Sequence, residues 1–315
     1  MTEPTSTNQE WFSAPGETML ELAGDRGWRQ AELAERLGYT AKHVSLLVNG
    51  KAPLTDETAL RLARVLGGSP EFWLQREARY RARLAVRDER KQQMQWTAWL
   101  RELPVEDLRR HGAVRSVTGG RHDVARVGEA LKFFAVGSPQ AWRAHLNRLR
   151  DSCEGPRMSS SELAALALWL RLGEIEAAKR ENRKYDGSRF RRALQEARRL
   201  VGGRLERVAD ELQGLYAAAG ADLVFISAPA GLQLKSVTRW ISGRPLLLVG
   251  PQQGSRESAW HSLFQASGHV LLHRRSRLYC EAAGAGSASG EAGEASQWAD
   301  QFLAKAKRSR GAVAG

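Results

Sequence analysis

Two sets of polar residues in this 315-residue sequence fall at helical spacing and could do chemistry. The first is Thr40, Lys42, His43, Ser45 and Asn49, within QAELAERLGYTAKHVSLLVNG at residues 30–50. Hydroxyls, an ammonium, an imidazole and an amide along one side of a short helix can reach base edges and phosphates when that helix lies in the major groove of DNA. The second set is His261, Gln265, His269 and His273, which step by four and so share one helix stripe. Two imidazoles at i and i+4 can meet one zinc ion, and a Glu directly after the first can activate the bound water. In FQASGHVLLH the second of those positions is His269, but the first is Gln265 and the base position is Ala266. Amide oxygen is a poor zinc ligand beside imidazole or carboxylate. Loss of a general base costs about 10² to 10⁴ in rate even with metal in place.

The elements that must position the first set form a helix-turn-helix. Leu33, Ala34 and Leu37 share one face of a first helix, and Val44, Leu47 and Val48 share one face of a second. Gly38 ends the first and gives the turn its permissive backbone. Thr40 stands where an N-cap belongs, its hydroxyl available to an orphan N–H. With the apolar residues used in packing, Ala41, Lys42, His43, Ser45, Leu46 and Asn49 face outward. Residues 17–25 read as a preceding helix. Residues 55–66 read as a following one, opened by Thr55 with Asp56 and Glu57 in its first turn, and Ser69-Pro70-Glu71 opens another.

Further along, residues 81–100 continue the last helix as a rigid, mixed-charge connector. Helices are expected over 103–112, 124–134, 140–150 and 160–183, with a polar break at 152–160 carrying Gly155 and Pro156. After a helix at 205–216, ADLVFISA, VTRWI and PLLLVG are short apolar or alternating runs bounded by Gly, Pro and Ser, hence strands. Residues 255–273 return to helical period, with Trp260, Leu263, Phe264, Val270 and Leu271 inward. The reading is mainly α, with a C-terminal α+β unit in which a helix lies on a small twisted sheet. GAGSASGEAGEAS, before a final helix, reads as a low-complexity loop.

The composition, 42% hydrophobic and 26% charged, is that of a folded chain, and the length suggests about two domains. The expected division is a disordered tail at 1–14, on which Trp11 and Phe12 tack onto the first domain, a DNA-binding domain at 15–86, a helical connector and middle region at 87–203, and the α+β domain at 204–315. No run of about eighteen apolar residues and no basic-then-apolar start is present, so neither a membrane span nor a signal peptide is expected, and the protein is placed in the cytoplasm. Cys153 and Cys280 lie far apart in sequence and in no metal-binding spacing. They read as reduced, incidental thiols, with a redox switch as the alternative.

The net charge of +13 is unevenly placed. Residues 1–90 carry 13 basic and 13 acidic side chains, so the excess lies beyond them. The densest run, 179–207, has eleven Lys/Arg against four Asp/Glu. Phe190, Ala193, Leu194, Ala197, Leu200 and Val201 keep helical spacing beneath those charges, which makes a solvated helix face the preferred reading over a second phosphate-binding surface.

PGETMLEL, the helix-turn-helix, NGKAPLTDETALRLARVLG and SPEFWLQREARY together resemble the HigA-type antitoxins of the XRE helix-turn-helix family, over about residues 15–80. That resemblance implies a five-helix, lambda-repressor-like domain that binds palindromic double-stranded operators as a homodimer, and a cognate toxin as partner. It marks Gln30, Thr40, Lys42, His43, Ser45 and Asn49 as DNA-contacting. Residues from about 205 to 303, in VTRWIS, PLLLVG, SLFQASGHVLLH and EASQWADQFL, resemble the ImmA/IrrE-type metallopeptidases. LRELPVEDLRRHG, LKFFAVGSPQAWRAHL, LALWLRLGEIEAAKRE and the Tyr185-Asp186 pair are similar to the helical insert of proteins that fuse the two.

The second resemblance implies a zincin-like fold with Gln265, His269 and Glu294 at the ligand positions, and only the last two suit a metal. His269 with His273 and Glu294 offers an altered register; against it stands a hydrogen-bonded polar stripe. The expectation is a DNA-binding regulator whose C-terminal domain is a pseudopeptidase for sensing or dimerisation, with no catalytic residues and no zinc or other cofactor. A zinc endopeptidase cleaving a repressor or toxin, and a toxin-binding protein that does not contact DNA, are the competing readings.

Overall fold

The computed structural model describes residues 14–115, 120–181, 183–250, 255–282 and 290–311, and the chain divides into two compact units that meet between Gln95 and Trp96. Five helices make the first unit: α1 (Pro15–Gly24), α2 (Gln30–Leu37), α3 (Ala41–Val48), α4 (Asp56–Leu66) and α5 (Pro70–Gln95). These follow the expected order. Their apolar faces meet in one core of Met19, Leu33, Ala34, Leu37, Val44, Leu47, Leu62, Leu66 and Trp73. Burying a Leu, Val or Met side chain contributes about 1.5 to 3 kcal/mol, and on helices this short that packing, not intrinsic propensity, holds the fold.

The helix ends are set by local chemistry. Gly38 is in the left-handed region at φ +69 and closes α2. The Thr55 hydroxyl accepts from the Thr58 N–H at 3.3 Å and opens α4, and Ser69 accepts from the Phe72 N–H at 3.2 Å at the start of α5. Helix α5 runs past the expected boundary at 86 to Gln95, and beyond Arg81 its side chains are largely exposed. The anticipated packing of Trp11 and Phe12 lies outside the described residues, as does nearly all of the expected tail.

The second unit is built on a five-stranded mixed sheet: β1 (Cys153–Glu154), β2 (Asp222–Phe225), β3 (Leu234–Ile241), β4 (Arg244–Val249) and β5 (Leu278–Ala282) in the order β1-β5-β3-β4-β2. The two outer pairings are parallel and the two inner ones antiparallel. Strands β3 and β4 join through Ser242 and Gly243, both with positive φ, a two-residue turn whose twist suits a hairpin. The three runs read as strands are β2, β3 and β4. Strands β1 and β5 are additions. The first sits in the stretch read as a polar break, because two residues carry no periodicity to detect.

Helices cover both faces of this sheet: α6 (Val105–Arg110), α7 (Gly120–Phe134), α8 (Pro139–Ser152) and α9 (Ser160–Ala177) on one side, α10 (Gly187–Arg199), α11 (Leu205–Ala218), α12 (Arg256–Leu272) and α13 (Gly290–Gly311) on the other. A short 3-10 turn (Thr97–Glu102) leads in. Strand alternation decides the sides: Val224, Leu246 and Leu248 join the first core, Leu223, Leu247 and Val249 the second. Helix α9 lies so close to the sheet that a Cβ at Gly173 would come within 2.2 Å of Leu248 Cδ2.

The expected break between 203 and 204 is therefore not a division of the molecule. Residues read as a separate middle region supply one wall of the sheet. Helix α9 also ends at Ala177, short of 183, and Asp186 caps α10 by accepting the Arg189 N–H at 2.8 Å. The stretch read as a loop before the last helix is helical from Gly290, where Ala295 packs fully buried beside Gly268 of α12. Residues 284–289 of that stretch lie outside the described residues. Phe190, Ala193, Leu194 and Ala197 are buried under exposed Arg189, Arg191, Arg192 and Arg199, so the basic run is a solvated helix face.

Candidate nucleic-acid interface

Helix α3 is held from beneath and left open above. Val44 and Leu47 are buried against α1 and α2, whereas Thr40, Ala41, Lys42 and Asn49 are exposed, and His43, Ser45 and Leu46 are half-buried. Its back is fixed by close approach: a Cβ at Gly16 of α1 would lie 2.0 Å from the Val48 carbonyl oxygen. At the turn, Arg61 donates to the Leu37 carbonyl at 2.9 Å and so closes the end of α2.

Each predicted contact residue has a definite place. The Thr40 hydroxyl accepts from the His43 N–H at 3.2 Å, which makes Thr40 the N-cap it was expected to be. The His43 ring stands edge-on to Tyr39, with centroids 4.7 Å apart. Asn49 folds back, donating from Nδ2 to the Ser45 carbonyl at 2.7 Å. Lys42 and Gln30 have no side-chain partner among the described residues, and Gln30 is the first residue of α2, half-buried at its start. Thr40, Lys42, His43, Ser45 and Asn49 thus come together on one short helix, with Gln30 on its neighbour. This is an arrangement suited to polar and phosphate contacts along a groove.

The histidine stripe of α12 is the opposite case. His269 has no exposed side-chain surface, and its Nε2 meets Glu281 Oε1 on β5 at 2.5 Å. Gln265 Nε2 donates to the other oxygen of the same carboxylate at 2.5 Å. His269 Nδ1 faces His273 Nδ1 at 2.8 Å, and His273 Nε2 faces Glu294 Oε2 at 3.2 Å. His269 also stacks on Tyr279 at 4.2 Å, and burial pushes the Tyr279 hydroxyl above its ordinary range. His261 lies apart, against Ser296 and Asp300.

These residues run in a chain, Glu281 to His269 to His273 to Glu294, and do not converge on a point. The ring nitrogens are thus engaged with one another and with the carboxylates, and Gln265 gives its amide to Glu281. Ala266, in the base position, is fully buried and offers no acid-base group. The donors present do not fit a zinc site of the His-Glu-His type, and the altered register of His269, His273 and Glu294 places Glu294 on the far nitrogen of His273.

Glu281 is the residue that sequence reasoning missed. The available signal was a lone acid inside an apolar strand, LYCEA, since a buried carboxylate requires a partner.

Residues 21–73 match the helix-turn-helix family HTH_3, so the chain carries such a domain at its N-terminus. An uncharacterized HTH-type transcriptional regulator of Escherichia coli K12, YddM, is 35% identical over 60 residues. That match takes in 19% of this chain and spans 64% of the regulator's length. Among solved structures, an addiction module antidote of the HigA family from Coxiella burnetii is 34% identical, with 25% of this chain and 87% of that one covered and a TM-score of 0.23. A putative antidote protein of a plasmid maintenance system from Nostoc punctiforme is 26% identical at the same coverages, with a TM-score of 0.24. No described helix is long and apolar enough to cross a membrane.

Proposed function

We propose that this chain is a sequence-specific DNA-binding transcriptional regulator of the antitoxin type, acting as a homodimer on a two-fold operator. The observation that carries the reading is the outward face of α3, where Thr40, Lys42, His43, Ser45 and Asn49 line one side of a helix whose other side is fixed in the domain core. The match to the helix-turn-helix family over residues 21–73 and the likeness to a transcriptional regulator support it. The first 90 residues are charge-neutral, so binding rests on placed contacts rather than on a general positive field.

The test is an electrophoretic shift with the promoter of the protein's own operon. Lys42→Ala weakens binding about equally across sequences and lowers the salt slope by about one. His43→Ala or Ser45→Ala costs about 1 to 3 kcal/mol at particular base pairs. No shift at low salt overturns the reading.

The second unit we read as a metallopeptidase-like module without peptidase activity, serving dimerisation, effector sensing or the binding of a cognate toxin. Two features support this: the Gln265 amide is spent on Glu281, and position 266 is a buried alanine. Stoichiometric zinc in the purified protein, lost on His269→Ala, would show an active metal centre and reverse it.

A further inference from the structure

The two cysteines, 127 positions apart in the chain, meet in the fold: Cys153 of β1 and Cys280 of β5 bring their sulfurs to 2.8 Å. We propose that Cys153 and Cys280 form an oxidation-responsive pair which a small hydroperoxide converts into an intramolecular disulfide, fastening β1 to the edge of the sheet.

The sheet register produces the juxtaposition. Cys153 pairs with Leu278 in a parallel ladder, and Cys280 lies two residues on, hence on the same face of β5. The chain is pressed tightly there, because a Cβ at Gly155 would lie 2.4 Å from the Cys280 carbonyl oxygen. Glu154 is further held by Arg277 at 2.5 Å. A small movement of the side chains takes the sulfurs to the S–S bond length of about 2.05 Å.

The two thiols are also unlike. Cys280 is buried, which pushes its thiol well up, and the hydrogen bond between the two sulfurs holds the Cys153 thiol below its ordinary value. Cys153 is half-buried and is therefore the nucleophile. A cavity of about 620 Å³ lined by Glu154, Gly155, Cys280 and Glu281 lies beside the pair on the Cys280 side.

The Cys153 thiolate attacks the terminal peroxide oxygen, the O–O bond breaks, and the departing oxygen takes a proton and leaves as water from hydrogen peroxide or as the alcohol from an organic hydroperoxide, so that Cys153 becomes a sulfenic acid. The Cys280 sulfur then attacks the Cys153 sulfur and expels the sulfenic hydroxyl, which leaves as water after taking the Cys280 proton. Two sulfurs give up two electrons to one peroxide.

Strand β1 has only two paired residues and bonds to β5 alone, so it is the part of the sheet that a covalent tie changes most.

The experiment uses the full chain, reduced and desalted, then exposed to hydrogen peroxide. Intact mass should fall by two hydrogens, both cysteines should resist alkylation, and peptide mapping without reductant should join the segments containing 153 and 280. Dithiothreitol should restore both thiols. In Cys280→Ser the reaction should stop at a Cys153 sulfenic acid, captured by dimedone. Two freely alkylated thiols after peroxide, or Cys153 driven to sulfinic acid while Cys280 stays free, would overturn the proposal, as would cross-linking between chains alone.

Discussion

Helices α3 and α12 each carry a row of polar residues, and they differ in what satisfies those residues. On α3 the polar side faces solvent: Lys42 is exposed without a side-chain partner among the described residues, while the apolar side fixes the helix. On α12 the polar groups are inside: Gln265 and His269 are buried and meet a single carboxylate, Glu281. Polar groups left in water are free to exchange it for a partner, whereas buried ones must be paired where they are or they destabilise the fold. Polar residues in a row along a helix are therefore an open, solvent-facing surface in one unit and internal structure in the other.

The comparison breaks most readily at Glu281. Glu281→Ala removes the buried carboxylate that Gln265 Nε2 and His269 Nε2 share, and a loss of about 3 to 5 kcal/mol is expected in chemical denaturation of the second unit. A loss below about 1 kcal/mol would mean that the cluster is not structural. Gly16→Ala tests the other side, since its Cβ would press the Val48 carbonyl at the back of α3. It should cost the first unit about 1 to 3 kcal/mol and displace the recognition face, read as a lower melting transition together with weaker operator binding.

Thr40→Ala removes only the cap. About 1 kcal/mol of stability should go, and retention of operator affinity in the folded variant would make Thr40 a positioning residue instead of a direct contact.

The smallest effect concerns His145. Burial, then the neighbouring Arg148 and Arg239, hold its imidazole below the ordinary range. The fold therefore favours the neutral ring. Its contribution is present above the unfolded value of about 6.5 and is lost as pH falls toward and through the lower folded value. Melting temperatures compared near pH 7.5 and pH 5.5 should drop more for the native chain than for His145→Gln. Equal drops would place the pH dependence elsewhere.

Much of this was written locally. The five helices of the first unit, Gly38 at the turn, Thr40 and Thr55 as caps and the inward Val44 and Leu47 follow from periodicities and end signals that span only a few residues. The strands β2, β3 and β4 were readable for the same reason. The boundary at 86 was misplaced because a mixed-charge helix carries no internal mark of where its packing ends. The separation at 203 failed because an apolar helix such as α9 does not announce which surface will bury it.

By itself, then, the sequence determined the helix-turn-helix, its exposed face, and the lack of an acid-base group at Ala266. Only the tertiary structure decided that residues 96–203 wall one side of the sheet, that Glu281 is the shared partner of Gln265 and His269, and that Cys153 lies against Cys280. Each of those depends on contacts between segments distant in the chain, and such contacts are set by which buried surfaces fit together, a property that no short stretch of residues encodes alone.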